Sequence, residues 1–256
     1  MRKVKKFKLT SEFIVDISGV KLFRIKALIE FGNVKAGDLG GYIEKEENLS
    51  HMGDAWIYGD AQISGNAQVF GNARVFGDAW VSGNARVFGN AWVSGNARVS
   101  GDTQVYGDAQ ISGNAQVFGN AWVSGNARVS GDTQVFGDAW VFGDAQVSGN
   151  ARVFGDAQVF GNARVFGNAW VSGDAWIYGD ARVSGDKDYA YAHGFGSCNR
   201  TTTFFRLKDG DVGVRCGCFY GTLAQFRDKV CETHGETKKA QEYLMLADLM
   251  EIRFKN

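Results

Sequence analysis

Glycine occurs at every sixth position from Gly53 to Gly185, without a single interruption. In each complete copy of the repeat, Asp or Asn follows the glycine, and the third residue is Ala, except at Thr103 and Thr133. Trp, Gln or Arg comes next, followed by Val or Ile, and finally by Ser, Phe or Tyr. Such strict self-similarity indicates a repeat architecture, in which one small structural unit recurs every six residues.

The order of residues within the repeat predicts short strands joined at corners. Ala and Val stand two positions apart, so they face one side of an extended segment while the alternate residues face the other. Gly-Asn and Gly-Asp pairs tolerate positive φ angles and therefore mark the corners. We predict a four-residue strand and a two-residue corner per repeat, and three repeats per coil of a triangular prism. About seven such coils would form a rod on the order of 35 Å long.

The spacing from the aliphatic Ile57 to the small Ala61, which recurs along the rod, resembles the hexapeptide-repeat family. Residues 22–28, 36–44 and 221–235 extend the resemblance to phage and prophage hexapeptide-repeat proteins of Gram-positive bacteria. This resemblance implies that the β-helix is left-handed. It also implies a phage or prophage setting, without implying a particular activity.

The fold class predicted from these features is mainly β. Residues 1–48 are expected to form an N-terminal β-hairpin cap, residues 49–186 the left-handed parallel β-helix, and residues 187–256 a small C-terminal α+β domain. A cap is physically required, because an open coil end is an unpaired sheet edge. Ile43 and Leu49 stand six residues apart before the regular repeat, so the first irregular coil is expected to begin there.

The C-terminal segment predicts a hairpin followed by two helices. Alternating apolar residues at 201–207 and 212–219 flank an Asp-Gly turn, which is typical of a hairpin. Thr222 and Gln225 have the form of a capping box, and the helix that they open is expected to end near Gly235. Residues 237–254 predict a second, amphipathic helix. One face of that helix carries Ala240, Leu244, Ala247 and Met250.

Outward residues 18 positions apart are predicted to share a face of the rod. We call the face that begins with Gln68 the first face, the face of Gln62 the second, and the face of Trp56 the third. All seven Trp occupy outward positions, and the rod contains no Lys or Glu. Every coil places at least one aromatic residue on the first face, which we predict to be the partner or oligomer surface. Its aromatic residues are Phe70, Phe88, Tyr106, Trp122, Trp140, Phe142, Phe160, Trp176 and Tyr178.

An aromatic face of this length exceeds the apolar patches that soluble monomers expose, so something is expected to cover it. Self-association, with a trimer favoured, is the first interpretation, because Trp, Tyr, Phe and Arg are enriched at interfaces and Lys and Glu are depleted. A protein partner and the terminal domains folding back are the alternatives. The rod has 12 Asp against 7 Arg, which does not favour nucleic acid.

The residue types suited to catalysis lie outside the repeat. Many hexapeptide-repeat proteins are acyltransferases, which by resemblance place a general-base His beside the coils. The alternative of acyl transfer at a coil end would use His51 or His193. A weak pattern for zinc exists at the C-terminal end, where Cys198 would join the main candidates. These candidates are Cys216, Cys218, Cys231 and His234.

Taken together, the residues favour a non-catalytic, rod-shaped binding or assembly protein without a cofactor or metal. The resemblance suggests that it engages a host or phage protein, such as a host defence component. A second alternative is an oligomer that sequesters a small ligand between protomers. Four Cys confined to the last quarter of the chain favour a cytoplasmic location, the host cytoplasm for a phage protein. No segment has the length of a membrane span.

Overall fold

A computed structural model of the chain describes residues 4–196 and 200–255. In this part of the chain, the repeat forms a parallel β-solenoid of about eight turns. Each strand pairs with the strands 18 residues before and after it, as Trp92 does with Arg74 and Gln110. The three-faced coil predicted from the repeat is therefore confirmed, and the left-handed winding stays a prediction of the resemblance.

The strands of the repeat, β4 to β25 in chain order, are each two residues long. Those of the first face are Gln68–Val69, Arg86–Val87, Gln104–Val105, Trp122–Val123, Trp140–Val141, Gln158–Val159 and Trp176–Ile177. Those of the second face are Gln62–Ile63, Trp80–Val81, Arg98–Val99, Gln116–Val117, Gln134–Val135, Arg152–Val153 and Trp170–Val171. Those of the third face are Trp56–Ile57, Arg74–Val75, Trp92–Val93, Gln110–Ile111, Arg128–Val129, Gln146–Val147, Arg164–Val165 and Arg182–Val183.

The prediction of four-residue strands is wrong, because the corner occupies more of the repeat than two residues. At the corner after Ser64, the N–H of Ala67 donates to the carbonyl of Ser64 at 3.3 Å. This bond closes a β-turn that draws the first and last residues of the predicted strand into the corner. The intervening glycine, Gly65, has a φ of 65°, as the prediction of positive φ at the corners requires.

The core of the rod consists almost entirely of Ala, Val and Ile. Every inward Ala, Val and Ile from Ala55 to Val183 is completely buried. Thr103 and Thr133 replace Ala at two inward positions, and both are completely buried as well. Their Oγ1 atoms have no hydrogen-bond partner among the described residues. The small Ala side chain alternates with the β-branched Val, which fills the interior of a narrow coil.

The N-terminal cap contains strands β1 (Phe7–Val15), β2 (Lys21–Ala27) and β3 (Leu39–Ile43), with a 3-10 helix at Glu46–Asn48. β1, β2 and β3 pair in antiparallel fashion, and β3 then pairs in parallel with the first second-face strand. Leu49 forms a parallel bridge with Val69, and both Ile43 and Leu49 are buried. The expectation that the first irregular coil begins at these two residues is confirmed.

The C-terminal domain packs two helices on a four-stranded antiparallel sheet. The strands are β26 (Tyr189–Phe195), β27 (Arg200–Arg206), β28 (Val212–Cys216) and β29 (Phe219–Thr222), preceded by a 3-10 helix at Asp186–Asp188. The helices are α1 (Leu223–His234) and α2 (Lys238–Phe254). The capping box at Thr222, the stop at Gly235 and both helices agree with the sequence. No part of the sequence pattern predicted the strand β26, and the single strand expected at 212–219 is divided into β28 and β29, which pair with each other.

Hydrogen bonds between coils run in both directions along the rod, because a residue of a parallel strand both donates to and accepts from the same neighbouring strand. Those at the starts of the strands and at the corners donate towards the C-terminal end. The N–H of Gln62 donates to the carbonyl of Ala79, and that of Trp80 donates to the carbonyl of Ala97, both at 2.9 Å. The outer end of the first coil therefore includes carbonyl oxygens at these positions, and the outer end of the last coil includes N–H groups. Because buried backbone groups require partners, each end needs a cap that supplies complementary groups.

Several donor groups and the carboxylate of Glu44, which accepts from the N–H of Gly65 at 2.6 Å, close the N-terminal end. At the third face, Lys6 Nζ donates to the carbonyl oxygens of Gly53 and Ala55, at 3.2 and 2.7 Å. At the first face, Asn48 Nδ2 donates to the carbonyl of Ala67 at 2.8 Å. Both side chains are almost completely buried. At the second face, backbone N–H groups that begin at β3 complete the cap.

Acceptor groups close the C-terminal end. Thr203 Oγ1 accepts from the last first-face strand at 3.0 Å, and Asp186 Oδ1 accepts from the last second-face strand at 3.1 Å. On the third face, Asp188 Oδ2 accepts from the N–H of Ser184 at 2.8 Å. Side chains thus satisfy backbone groups at both ends of the rod, with Lys6 and Asn48 donating at one end and Thr203, Asp186 and Asp188 accepting at the other.

Candidate interaction surface

Aromatic side chains of the first face contact one another along the whole rod. Phe70 and Phe88 stack with ring centroids 4.8 Å apart, and Trp122 and Trp140 stack at the same distance. Other neighbouring pairs are stacked, tilted or edge-to-face, at 4.5 to 6.4 Å. Since parallel strands lie about 4.8 Å apart, the backbone sets the ring spacing. We call this set the aromatic ladder. Its members are Phe70, Phe88, Tyr106, Trp122, Trp140, Phe142, Phe160, Trp176 and Tyr178.

The ladder buries part of its own apolar surface. Each stacked ring covers the faces of its neighbours, so ring edges rather than ring faces point to solvent. Trp140 is 41% exposed, and the other members are half-buried. The surface is therefore a long apolar strip, to which every coil contributes a partly exposed aromatic edge.

The first face is also the least charged of the three. Arg86 is the only charged residue among its outward strand positions, whereas the second face carries Arg98 and Arg152 and the third carries four Arg. Amide side chains bridge successive corners beside the faces. Asn84 Nδ2 donates to Asp102 Oδ1 at 2.7 Å, for example. Apolar contact consequently dominates the character of the first face.

The expectation that all seven Trp face solvent is wrong at the N-terminal end. Trp56 points outward from the third face, but only 1% of it is exposed. Phe7 and Phe31 of the cap lie edge-on to its ring, with centroids at 6.3 and 5.3 Å. The cap therefore folds over the start of this face, which the repeat pattern alone could not reveal.

The C-terminal domain contacts the other end of the ladder. The ring of Tyr220 lies edge-on to Tyr178 at 4.7 Å. The guanidinium of Arg215 lies 5.3 Å from the ring centroid of Trp176 and 5.6 Å from that of Tyr178. Sequence reasoning missed Arg215 and Tyr220, because they lie outside the repeat and only the packing of the four-stranded sheet brings them to the ladder.

A cleft of about 820 Å³ opens where the first face meets the N-terminal cap, and His51 and Phe70 both line it. The imidazole of His51 stacks on Phe7 at 4.4 Å, and its Nδ1 accepts the N–H of Lys6 at 3.2 Å. Its Nε2 lies 3.7 Å from a carboxylate oxygen of Glu46. His51 is thus held in place by the cap, at the beginning of the ladder.

A second cleft, of about 640 Å³, lies between the first face and the C-terminal sheet. His193 and Trp176 line it. His193 Nδ1 lies 2.9 Å from Thr201 Oγ1 and 3.6 Å from a carboxylate oxygen of Asp174. The two histidines singled out from the sequence therefore lie at opposite ends of the same face.

The described cysteines do not form a recognisable metal centre. Within residues 4–196 and 200–255, no group of three or more His, Cys, Asp or Glu side chains is placed to hold a metal ion. Cys216 Sγ instead lies 3.2 Å from Thr202 Oγ1, and Cys218 and Cys231 are exposed thiols. The ring of His234 stacks on Tyr243 at 5.7 Å. Cys198 lies outside the described residues.

The fold and its surface define a capped parallel β-solenoid, a repeat protein of the β-helix class. Segments of the rod match the family described as YdcK Beta solenoid repeat. The matched residues are 67–83, 79–95, 92–107, 109–125, 121–137, 145–159 and 157–173. No curated protein matches the chain. None of the described helices is long and apolar enough to cross a membrane.

Proposed function

We propose that this chain is a non-catalytic assembly protein that associates with further copies of itself through the first face. The observation that carries this proposal is the aromatic ladder, which runs unbroken from Phe70 to Tyr178. An apolar strip of this length, with partly exposed edges and one charged residue, has the composition of an interface core.

The period of the ladder favours a second copy as the occupant. Its rungs, which are the aromatic rings of successive coils, repeat at the spacing of the coils, about 4.8 Å. Only a surface with the same period can match every rung along seven coils, and another copy of this chain has that period. A three-fold axis parallel to the rods would bring the first faces together with equal coils at equal heights. A homotrimer is therefore the proposed assembly.

The paired substitutions Trp140→Ala and Phe142→Ala test this proposal. They remove the most exposed rung and its neighbour without touching the core, so the fold should survive while the apolar contact is weakened. We expect light scattering after size-exclusion chromatography to show an assembly of three copies, or of a multiple of three, for the parent and a smaller species for the variant. Trp170→Ala on the second face is the matched control, because Trp170 is 48% exposed. An unchanged mass in the double variant contradicts the proposal.

The biological setting rests on the sequence resemblance alone. We propose that the chain is a phage or prophage protein of the hexapeptide-repeat type, acting in the bacterial cytoplasm. In that setting the assembled rods would present the second and third faces to a host or phage protein. Capture of one bacterial protein by the parent, lost on substitution of Trp92 and Phe166 but not of Trp140, would support this part. Capture that also survives the third-face substitutions would contradict it.

Acyl transfer at a coil end is a second candidate function. The observation in its favour is that His51 and His193 each line a cleft on the first face, and that His193 has Asp174 within 3.6 Å. A carboxylate beside an imidazole can hold the ring in the orientation that general-base catalysis requires. Turnover of acyl-CoA donors that disappears in His193→Ala or His51→Ala would support this function. Full activity in both variants would exclude it.

A further inference from the structure

Helix α2 carries apolar side chains on two opposite sides. Its inner side packs on the C-terminal sheet and α1 through a buried stripe. The members of this stripe are Ala240, Tyr243, Ala247, Met250 and Phe254. On the outer side, Met245, Leu249 and Ile252 are 71%, 54% and 70% exposed.

The outer residues form one continuous stripe. Successive spacings of four and three residues place Met245, Leu249 and Ile252 on the same side of the helix. Ala247 lies two residues from both Met245 and Leu249, about 200° around the helix axis, so the two stripes are diametrically opposed. A surface helix normally has a single apolar stripe, and one that is apolar on both sides is normally covered on both. The isolated chain covers only the inner side.

The charges beside the outer stripe indicate what covers it. Asp248 and Lys255 are two helical turns apart on the same flank, and their side chains are 64% and 69% exposed. If two copies of α2 pack antiparallel across a two-fold axis, this flank faces the same flank of the other copy. Asp248 of each copy then approaches Lys255 of the other, so the contact is complementary to itself.

The existing partners of these two charges do not oppose such a contact. Asp248 contacts Arg227, and Lys255 Nζ lies 3.0 Å from a carboxylate oxygen of Glu251. The Lys255–Glu251 pair is solvent-exposed and the Arg227–Asp248 pair is partly so, with the Arg227 side chain 27% exposed, and such ion pairs contribute little to stability. They can therefore be exchanged for pairs between copies while the apolar stripe is buried.

We propose that the outer face of α2 is a second self-association surface, which pairs antiparallel with the α2 of another copy across a two-fold axis. This contact is distinct from the first face and does not depend on it. Combined with a trimer through the first face, it doubles the assembly to a hexamer. Without association through the first face, it produces a dimer.

Leu249→Glu tests the contact, because it places a charge in the middle of the stripe while leaving the inner side of the helix intact. We expect the solution mass of the full-length protein to fall by half, with an unchanged circular dichroism spectrum. Ile17→Glu in the N-terminal cap is the matched control, since Ile17 is 86% exposed and lies far along the chain from α2. An unchanged mass in Leu249→Glu overturns the proposal.

The same measurement separates this contact from the first face. A fall from hexamer to trimer in Leu249→Glu supports both surfaces, and a fall from dimer to monomer supports the helix contact alone. Charge exchange gives an independent test of the pairing. Asp248→Lys and Lys255→Asp should each weaken the assembly by at least tenfold in dissociation constant, and the double exchange should restore it. A double variant as weak as the single variants overturns the antiparallel arrangement.

Crosslinking locates the contact directly. In Ile252→Cys, the introduced thiols of two copies lie beside the two-fold axis, which the Asp248–Lys255 pairing places midway between these two residues, so mild oxidation should join position 252 to position 252. Peptide mapping by mass spectrometry distinguishes this link from links through the native exposed thiols, Cys218 and Cys231. Links through the native thiols only would overturn the proposal.

Discussion

The Nζ atom of Lys6 lies 2.7 Å from the carbonyl oxygen of Ala55, a residue 49 positions further along the chain. Through this bond, a side chain that directly precedes the first strand of the cap closes part of the outer end of the solenoid. The ammonium group also lies 4.7 Å from the ring centroid of Phe31. A charged side chain is thus buried because the carbonyl oxygens at the coil end need a donor.

Lys6→Met should destabilise the rod. The substitution keeps the apolar stem but leaves two carbonyl oxygens at the coil end without a donor, which costs about 2–3 kcal/mol of unfolding free energy. Urea denaturation of the full chain measures the loss. Lys5→Met is the control, because the exposed pair of Lys5 with Glu46 should contribute no more than about 1 kcal/mol. Equal losses in the two variants would refute the capping role.

Lys6 should also make stability depend on pH. Burial lowers its pKa to about 8 from the ordinary value of 10.5, against a smaller raising effect of Asp54. Between these two values the unfolded chain binds more protons at this site than the folded chain does. The contribution of Lys6 to the free energy of unfolding should therefore rise as the pH increases from about 8 to 10.5.

The difference in unfolding free energy between the parent and Lys6→Met, measured from pH 7 to 10.5, checks this sign. The ¹³Cε chemical shift of Lys6 should titrate with a midpoint near 8. Asp54→Asn should move that midpoint lower, because Asp54 favours the charged ammonium. A midpoint above 10 in the parent would show that Lys6 is not buried as described.

Thr103→Val and Thr133→Val should stabilise the rod. Each replaces a buried hydroxyl that has no partner by a methyl group of similar size, which should add about 1 kcal/mol to the free energy of unfolding. Thermal unfolding measures the change. Thr202→Val is the contrasting variant, because Thr202 Oγ1 donates to Cys216 Sγ and its loss should destabilise. Destabilisation by all three substitutions would contradict the conclusion that the buried hydroxyl groups of Thr103 and Thr133 have no hydrogen-bond partner.

Alanine at two corner glycines should have unequal effects. Gly59 and Gly101 have φ angles of +61° and +76°, so alanine costs about 1–2 kcal/mol of backbone strain at either position. A Cβ at Gly101 would also lie 2.6 Å from the carbonyl oxygen of Gly119, whereas the nearest atom at Gly59 is 3.6 Å away. Gly101→Ala should therefore lose at least twice as much unfolding free energy as Gly59→Ala. Equal losses of unfolding free energy in the two variants would mean that neighbouring coils move apart at the corner with little energetic cost.

The regular part of the fold was predictable because each repeat contains the residues that determine its own conformation. Glycine fixes the corner, and the alternation of Ala with Val fixes the inward side, so no distant residue is needed. The caps were not predictable at this level. Lys6 reaches Ala55, and Thr203 reaches Trp176, only after separate segments have packed together. For the same reason the burial of Trp56 under the cap escaped the repeat pattern.

The candidate surface was predictable in part. The 18-residue period assigns the aromatic residues to the first face, but it does not show that their rings stack, because stacking depends on side-chain rotamers. The outer stripe of α2 did have a sequence signal, the spacing of Met245, Leu249 and Ile252. Ala240, Leu244, Ala247 and Met250 give a second helical spacing of apolar residues, on the other side of the same helix. A helix can satisfy two apolar spacings at once, and the sequence alone does not show which side meets the sheet.

Because every coil pairs with its neighbours through the same backbone groups, the two capped ends can be moved relative to each other without redesigning either one. Removing the 18 residues of one coil shortens the rod by about 4.8 Å and leaves every donor and acceptor at the ends matched. Removing only six residues turns the C-terminal domain by a third of a revolution, and carries Tyr220 and Arg215 from the first face to a neighbouring one. Evolution by whole repeats would therefore adjust the distance and the angle between the terminal domains in fixed, separate increments.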